Sequence, residues 1–374
     1  MQSGKEAIIE RRDYLDFLAS NASKNTALLG RKKSGKTLIL KQYIKKLGKE
    51  SLPVYIDLEK ISLTPENFSI EFIGNILYNF IGKKTAEYKN FLSLENLKKI
   101  IPSVKSDKCS EILNSVENEL LKIKPGQKFL VESAFKFANA LAEEKNKKIV
   151  ICLDNFENIL DLNNFSQIND IISLINFENK DVKYIITSSL INQFKDLKNF
   201  EIIEIKNLDK KESALLIEKT VGKTEKKIIN EIHELSKGHP LVLKSIASRY
   251  KETKNVRKAF LTELLCKEGL IYSYCKNSLS FYLNLARGQS LLKNILKIIA
   301  EKELRLSEIA LELYRSAPIT KAMLERLISV DLIAKKDSRF YFDDKILQLW
   351  VKLTSNGYDF DFIPEDKDLE EIQI

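Results

Sequence analysis

Apolar residues follow two periods along the chain. Short apolar runs stand at residues 26–29, 53–58, 147–154, 184–187 and 201–205. Each has strand length and is bounded by charged or turn-forming residues, as buried strands are. Between them lie stripes at helical spacing: residues 38–47, then Phe68, Phe72, Ile73, Ile76, Leu77 and Phe80, then Phe129, Val131, Phe135, Ala138, Leu141 and Ala142. Breaks at Ile101-Pro102 and Lys124-Pro125-Gly126 divide the helical stretch, and residues 6–20 read as a strap and short helix ahead of the first strand. The run 147–154 is continuously apolar from Ile149 to Leu153 and closes on Asp154, as expected of a central parallel strand covered on both faces. Strands alternating with helices predict an α/β fold with a doubly wound parallel sheet.

Beyond residue 206 the pattern is helical only. Amphipathic stretches at 210–220 and 226–237 are followed by the interruption Gly238-His239-Pro240 and a further stretch at 241–250. From residue 289 it changes again, with helices over 291–300, 306–314 and 319–330. Residues 332–335 and 339–342 then flank the turn Lys336-Asp337-Ser338. Three helices and a hairpin predict a winged helix-turn-helix. The chain so divides into a core at 1–206, a helical lid at 207–285, a winged helix at 286–354 and an acidic tail at 355–374, expected to be disordered after Tyr358.

The first strand and first helix enclose Gly30-Arg31-Lys32-Lys33-Ser34-Gly35-Lys36-Thr37-Leu38, which fits the phosphate-binding pattern G-x-x-x-x-G-K-[ST] in its required strand-to-helix context. Gly30 and Gly35 permit the backbone conformations of a close phosphate approach. Successive N–H groups, with the helix dipole, form an anion nest. Lys36 would neutralise the β- and γ-phosphates, and the Thr37 hydroxyl is a hard oxygen ligand suited to Mg²⁺. The expected ligands are therefore a nucleoside polyphosphate and Mg²⁺ in a P-loop core. Only 12 glycines occur in 374 residues, which makes their spacing here informative.

Composition narrows the class. With 44% hydrophobic and 30% charged residues the chain reads as a soluble globular protein of two or three domains. The first twelve residues are polar and charged, unlike a signal peptide, and no apolar run approaches bilayer length. Cys109, Cys152, Cys266 and Cys275 show no metal-ligand spacing and read as free thiols of a reducing cytoplasm. Two histidines, His233 and His239, leave no basis for a histidine metal centre. The net charge of +9 comes from lysines spread along the chain, a balance that permits nucleic-acid contact without concentrating it.

The loop after Gly30, Asp154 and Thr187 all fall at C-terminal strand ends, where such sheets bind ligands. Asp154 is placed to hold the metal. The next position, where a water-activating carboxylate would stand, is Asn155. An amide takes up no proton at neutral pH, so Asn155 is not a general base. Glu157 has two readings: a displaced catalytic carboxylate, or the N-terminal carboxylate of a helix. Thr187 or Ser188 would sense the γ-phosphate by hydrogen bond, or act as a helix cap.

Over residues 8–350 the chain resembles the predominantly archaeal ATPase family of the STAND branch of AAA+-like P-loop ATPases. Ile8-Ile9-Glu10-Arg11-Arg12-Asp13-Tyr14-Leu15 is similar to the family's opening box, with Glu10 in place of the usual Gly. Asn207-Leu208-Asp209-Lys210-Lys211-Glu212 resembles its entry into the lid, and Gly238-His239-Pro240 its G-x-P motif. The resemblance implies adenine as the base, Arg11 near the adenine or ribose, and His239 and Pro240 at the nucleotide. It also implies a C-terminal winged helix. No arginine follows the Thr187 strand, where some relatives carry one; Lys195 or Lys198 would have to substitute, or else both are surface lysines.

Asn155 in place of glutamate implies slow hydrolysis and a nucleotide-state switch that engages a protein partner. Two alternatives stand beside that reading: an ATP-controlled DNA-binding protein, and a nucleotide-binding scaffold without turnover. For DNA, the second helix of the pair would expose Thr320, Lys321, Glu325 and Arg326, and the wing Lys335, Lys336 and Arg339. Oligomer formation is open, and no membrane association is expected.

Overall fold

The structure is a computed structural model and describes residues 8–48, 50–81, 87–357 and 365–372. Five strands, β1 (Asn25–Leu29), β2 (Ser51–Asp57), β3 (Lys148–Asp154), β4 (Val182–Ser188) and β5 (Phe200–Glu204), form a parallel sheet in the order β2-β3-β4-β1-β5. Each strand expected from the sequence is there, shifted by a residue or two at its ends. The chain crosses from β1 to the far edge at β2, returns through β3 and β4, then passes over β1 to β5. Strand order therefore reverses at β1, and a crevice opens at its C-terminal end.

Side-chain alternation divides the core. Leu28, Val150, Cys152 and Ile185 face the helices Arg12–Ser20 and Lys36–Lys46, where Leu15, Leu18, Ile39, Leu40 and Tyr43 cover them. Ala27, Leu29, Ile149, Ile151, Leu153, Tyr184 and Ile186 face the other way, into a larger core built on Pro65–Ile81 and Gln127–Lys145. There Phe68, Phe72, Phe135, Phe177 and Tyr184 pack ring to ring, with centroids 4.8–6.2 Å apart. Pro53 is tolerated because β2 is an edge strand.

Five helices follow, Lys210–Val221, Lys226–Ser236, Pro240–Thr253, Val256–Leu265 and Leu270–Leu285. Asp209 and Glu212 close a reciprocal capping box on the first. The C-terminal unit has helices Gln289–Glu301, Leu306–Glu312 and Ala317–Ser329, then strands β7 (Ile333–Lys336) and β8 (Arg339–Phe342) and helix Lys345–Ser355. A two-residue strand, β6 (Leu304–Arg305), completes an antiparallel sheet in the order β6-β8-β7. It is too short to leave a periodic trace in the sequence.

Three expectations need correction. Pro102 lies in the last turn of helix Leu94–Val104 and does not break it; the turn comes at Lys105, at φ 52°, and Ser106 caps the next helix. A proline so near a helix end forfeits one hydrogen bond where the ladder is ending anyway. Thr320 is buried, its hydroxyl donating to the Ser316 carbonyl at 3.1 Å, so it is not on a reading face. Of the acidic tail, residues 358–364 and 373–374 lie outside the described residues, but Asp366–Glu371 is helical and the carbonyl of buried Ile372 accepts from Arg257. None of the four cysteines is in a disulfide, and Cys109, Cys152 and Cys275 are buried. Among the described residues no helix is long and apolar enough to cross a membrane.

The Tyr184 hydroxyl is buried in the aromatic core with no hydrogen-bond partner among the described residues. An unpaired buried hydroxyl costs about 1–3 kcal/mol. Tyr184→Phe is expected to raise unfolding free energy in urea by about 1 kcal/mol; a loss of that size would show instead that the hydroxyl is bonded.

Candidate functional site

The reversal point at β1 is occupied by the glycine loop. Its first residue is gripped from both sides. The Gly30 amide donates to the Ser188 carbonyl at 3.1 Å, and the Ile205 amide donates to the Leu29 carbonyl at 2.6 Å. A Cβ at Gly30 would stand 2.8 Å from the Ile205 oxygen, so only glycine fits. Left-handed turns at Lys33 (φ 61°) and Gly35 (φ 101°) lead into helix Lys36–Lys46, with Gly35 as its N-cap. The first-turn amides of Lys36 and Thr37 have no partner within the helix, while the Leu38 amide donates to the Gly35 carbonyl at 3.0 Å, and the dipole adds partial positive charge. The Ser34 hydroxyl is buried and unpartnered among the described residues. These orphaned donors around a positive helix end fit a polyphosphate.

Lys36 is buried, and its ammonium donates to the Gly30 and Arg31 carbonyls at 2.6 and 2.8 Å. Burial pushes its pKa down to about 8, against the opposite pull of Glu157 and Asp154. Asp154, at the end of β3, is buried and receives three hydroxyls. Thr37 donates to Oδ1 at 3.1 Å, Thr187 donates to the same oxygen, and Tyr55 donates to Oδ2 at 2.7 Å. The Thr37 hydroxyl and the Asp154 carboxylate thus form one hard-oxygen pair, the donor set a Mg²⁺ ion accepts. Thr187, expected to read a γ-phosphate, is engaged on Asp154 and on the Asn155 amide at 3.2 Å. Ser188 bonds the Leu190 amide at 3.0 Å. Tyr55 was not anticipated, because a tyrosine in an alternating strand reads as packing. Its signal is the register: Tyr55 pairs with Cys152, two residues before Asp154.

Asn155 takes a left-handed conformation, φ 55°, and its side-chain amide donates to Asp57 Oδ1 at 2.8 Å and to Glu59 Oε2 at 3.5 Å. Glu157 is buried in the first turn of a 3₁₀ segment, Phe156–Asn164. Its oxygens accept from the Ser189 amide at 3.2 Å and the Ser189 hydroxyl at 2.5 Å. Both are therefore spent on the loop after β4, and the helical-carboxylate reading describes this geometry better than a free base.

The loop tip is tied to distant parts of the chain. Arg31 donates to the Asp343 carbonyl at 2.7 Å and pairs with its carboxylate at 2.6 Å. Burial would lower the Arg31 pKa, but Asp344 and Asp343 hold it above its ordinary value. The Lys32 ammonium lies 3.3 Å from the centre of the Phe281 ring. His239 is the N-cap of helix Pro240–Thr253: Nδ1 accepts from the Val242 amide, so Nε2 carries the proton and donates to the Lys32 carbonyl at 3.0 Å. Tyr274 packs on the His239 ring at 5.0 Å and donates to Asp344 at 2.8 Å. Gly238 is fixed by φ 71° and by the Leu208 carbonyl, 2.1 Å from where a Cβ would be. Pro240 opens the helix, where its missing N–H costs nothing.

Arg11 lies at the end of β5, donating to the Lys206 carbonyl at 2.7 Å and pairing with Glu212 at 3.1 Å. It ties the N-terminal strap to helix Lys210–Val221. Lys195 and Lys198 are both exposed.

The basic residues of the C-terminal unit divide. Lys335, Lys336 and Arg339 are exposed on the β7–β8 hairpin. Lys321 is exposed and pairs with Glu325 at 3.7 Å. Arg326, expected on the reading face, instead turns its guanidinium onto the carbonyls of Ala286 and Arg287, with Nε 2.6 Å from the former. Those carbonyls end helix Leu270–Leu285 and need donors. Arg326 is therefore a joint between segments, not a free cation.

Solved structures share this architecture. The Walker-type ATPase PABY2304 of Pyrococcus abyssi aligns with a TM-score of 0.60 at 18% identity, over 93% of this chain and 97% of that one. The ORC2 protein of Aeropyrum pernix, in ADPNP–ADP complexes, aligns with a TM-score of 0.46 at 13% identity, over 92% and 93%. The STAND protein PH0952 of Pyrococcus horikoshii, which has a tetratricopeptide repeat sensor, gives 0.39 at 14% identity, and this chain spans 43% of its length. At such identities the first likeness is one of fold, and the other two are looser. No protein-family model and no curated protein matches the sequence.

Burial holds the His239 pKa below its ordinary value, despite the opposite pull of Asp344 and the Lys32 carbonyl. The folded chain therefore keeps it neutral while the unfolded chain takes up a proton below about pH 6.5. Its contribution is complete above that pH and is lost as pH falls, by up to about 1.4 kcal/mol per unit. His239→Asn keeps a capping side chain and removes the titration. Between about pH 7 and 5 the wild type should lose thermal stability more steeply than this variant; parallel curves would contradict the assignment.

Proposed function

We propose that the chain is a Mg²⁺-dependent ATP-binding protein and slow ATPase whose nucleotide state acts as a switch. The observation that carries this reading is the nest at residues 30–38, with buried Lys36 inside it and the Thr37–Asp154 oxygen pair at its exit. In this reading Gly30, Arg31, Lys32, Lys33, Ser34, Gly35, Lys36, Thr37 and Leu38 wrap the phosphates. Thr37 and Asp154 hold the metal, and Arg11 lies toward the base. Residues 1–206 are the ATPase core, 207–285 a lid and 286–354 a winged helix, whose helices, small sheet and hairpin have the fitting order. The thiols, none of them in a disulfide, suit a cytoplasmic protein.

The switch is supported by the loop's own side chains. Arg31 reaches Asp343 in the C-terminal unit, and the Lys32 carbonyl receives His239 from the 207–285 segment. Phosphates entering the nest change the charge beside both contacts, so the two outer segments register the occupant. A protein partner would read that change. A DNA reading rests on the hairpin, where Lys335, Lys336 and Arg339 stand exposed, and on Lys321, exposed but paired with Glu325; Arg326 no longer contributes to it.

Lys36→Ala is expected to weaken ATP binding by roughly 10- to 100-fold in calorimetry, the worth of a lost charge-assisted contact, with an unchanged melting profile. Equal affinity would remove the site assignment. For DNA, neutralising Lys335, Lys336 and Arg339 together should reduce the salt slope of duplex binding by about 3; an unchanged slope or no binding would leave the protein-partner reading.

A further inference from the structure

We propose that Glu59 is the water-activating carboxylate, held toward the phosphate loop by the Asn155 side chain; the acid and the amide have exchanged strands. The inference rests on the reading of the chain as an ATPase. Asp57 and Asp154 stand side by side at the ends of β2 and β3, so the residues just beyond them share one rim of the site. On β3 the next residue is Asn155. Its amide has two hydrogens, and they serve two carboxylates of the β2 end, Asp57 at 2.8 Å and Glu59 at 3.5 Å. An amide bridging two carboxylates cannot take a proton, but it can fix where a neighbouring carboxylate points.

The two acids are not equivalent. Asp57 is the more engaged: Oδ1 also accepts from the Glu59 amide at 3.2 Å, and Oδ2 pairs with Lys60 at 3.3 Å. Glu59 is exposed and one methylene longer, and its charge acts on Lys32 of the phosphate loop. Glu157 has both oxygens on Ser189. Among the carboxylates at this rim, Glu59 is the one whose head is free to meet a water between Asn155 and the loop.

A water oxygen forms a bond to the γ-phosphorus of ATP as the bond from that phosphorus to the β,γ-bridging oxygen breaks. The electron pair leaves with ADP. One water proton passes to the Glu59 carboxylate and from there to solvent, and the phosphate departs. Asn155 acts through Glu59 and is a positioning residue. A base on the open rim, rather than buried beside Asp154, accounts for slow turnover.

The test uses the full chain with Mg²⁺ and ATP, measuring single-turnover phosphate release, ATP affinity and the nucleotide recovered on the protein. Glu59→Gln should slow release by about 100-fold or more while ATP affinity stays within about twofold, so that bound nucleotide is recovered as ATP. Asn155→Glu in the Glu59→Gln background should restore release, because it returns a carboxylate to the β3 end. A Glu59→Gln chain that hydrolyses at the wild-type rate overturns the proposal. So does a wild type that binds ATP and never releases phosphate, although nucleotide binding then stands. A wild type that binds no ATP overturns the ATPase reading and this inference with it.

Discussion

A carboxylate cannot be buried at the end of a central strand unless donors surround it. Asp154 meets that constraint with three hydroxyls drawn from three places: Thr37 from helix Lys36–Lys46, Thr187 from β4 and Tyr55 from β2. Because β3 and β1 are separated by β4, these bonds cross the sheet at the point where its strand order reverses. They hold the phosphate loop, its helix and both central strands in fixed relation. Any metal chemistry would begin from this arrangement, with an oxygen pair already in place.

Around that fixed centre lies a ring of polar contacts, some buried and some partly exposed. Arg31, Lys32 and His239 join the loop to the helical segment and the C-terminal unit. Arg326 braces the junction near Ala286, and the Asn192 amide, from the segment after β4, donates to Asp331 of the C-terminal unit at 3.2 Å. The one ion pair among them, Arg31–Asp343, is partly exposed, and such pairs are individually weak. A set of polar contacts around a charged pocket is suited to being rearranged, whereas the apolar sheet core is not. The contrast between a rigid centre and a polar perimeter is the physical basis of the proposed switch.

Much of this was legible in the sequence. The strands were, because continuous apolar runs admit few alternatives at that length, and so was the loop, because two scarce glycines and a Lys-Thr pair fell between a strand and a helix. What was hidden depended on distance in three dimensions. Tyr55 reads as a packing residue until register sets it beside Cys152 and Asp154. Thr320 and Arg326 read as exposed by helical phase, but one lies under its own helix end and the other ties down carbonyls forty residues away in sequence. Asp343 carries no motif, and only the fold brings it to Arg31.

The most direct test of the central claim is amide hydrogen exchange of the wild-type chain with and without Mg²⁺–ATP. Protection should appear at residues 30–38, and exchange should change around residues 343–344, where Arg31 makes its contact. Unaltered exchange in the loop under saturating nucleotide would contradict the account. Protection in the loop without change at residues 343–344 would leave nucleotide binding and remove the switch.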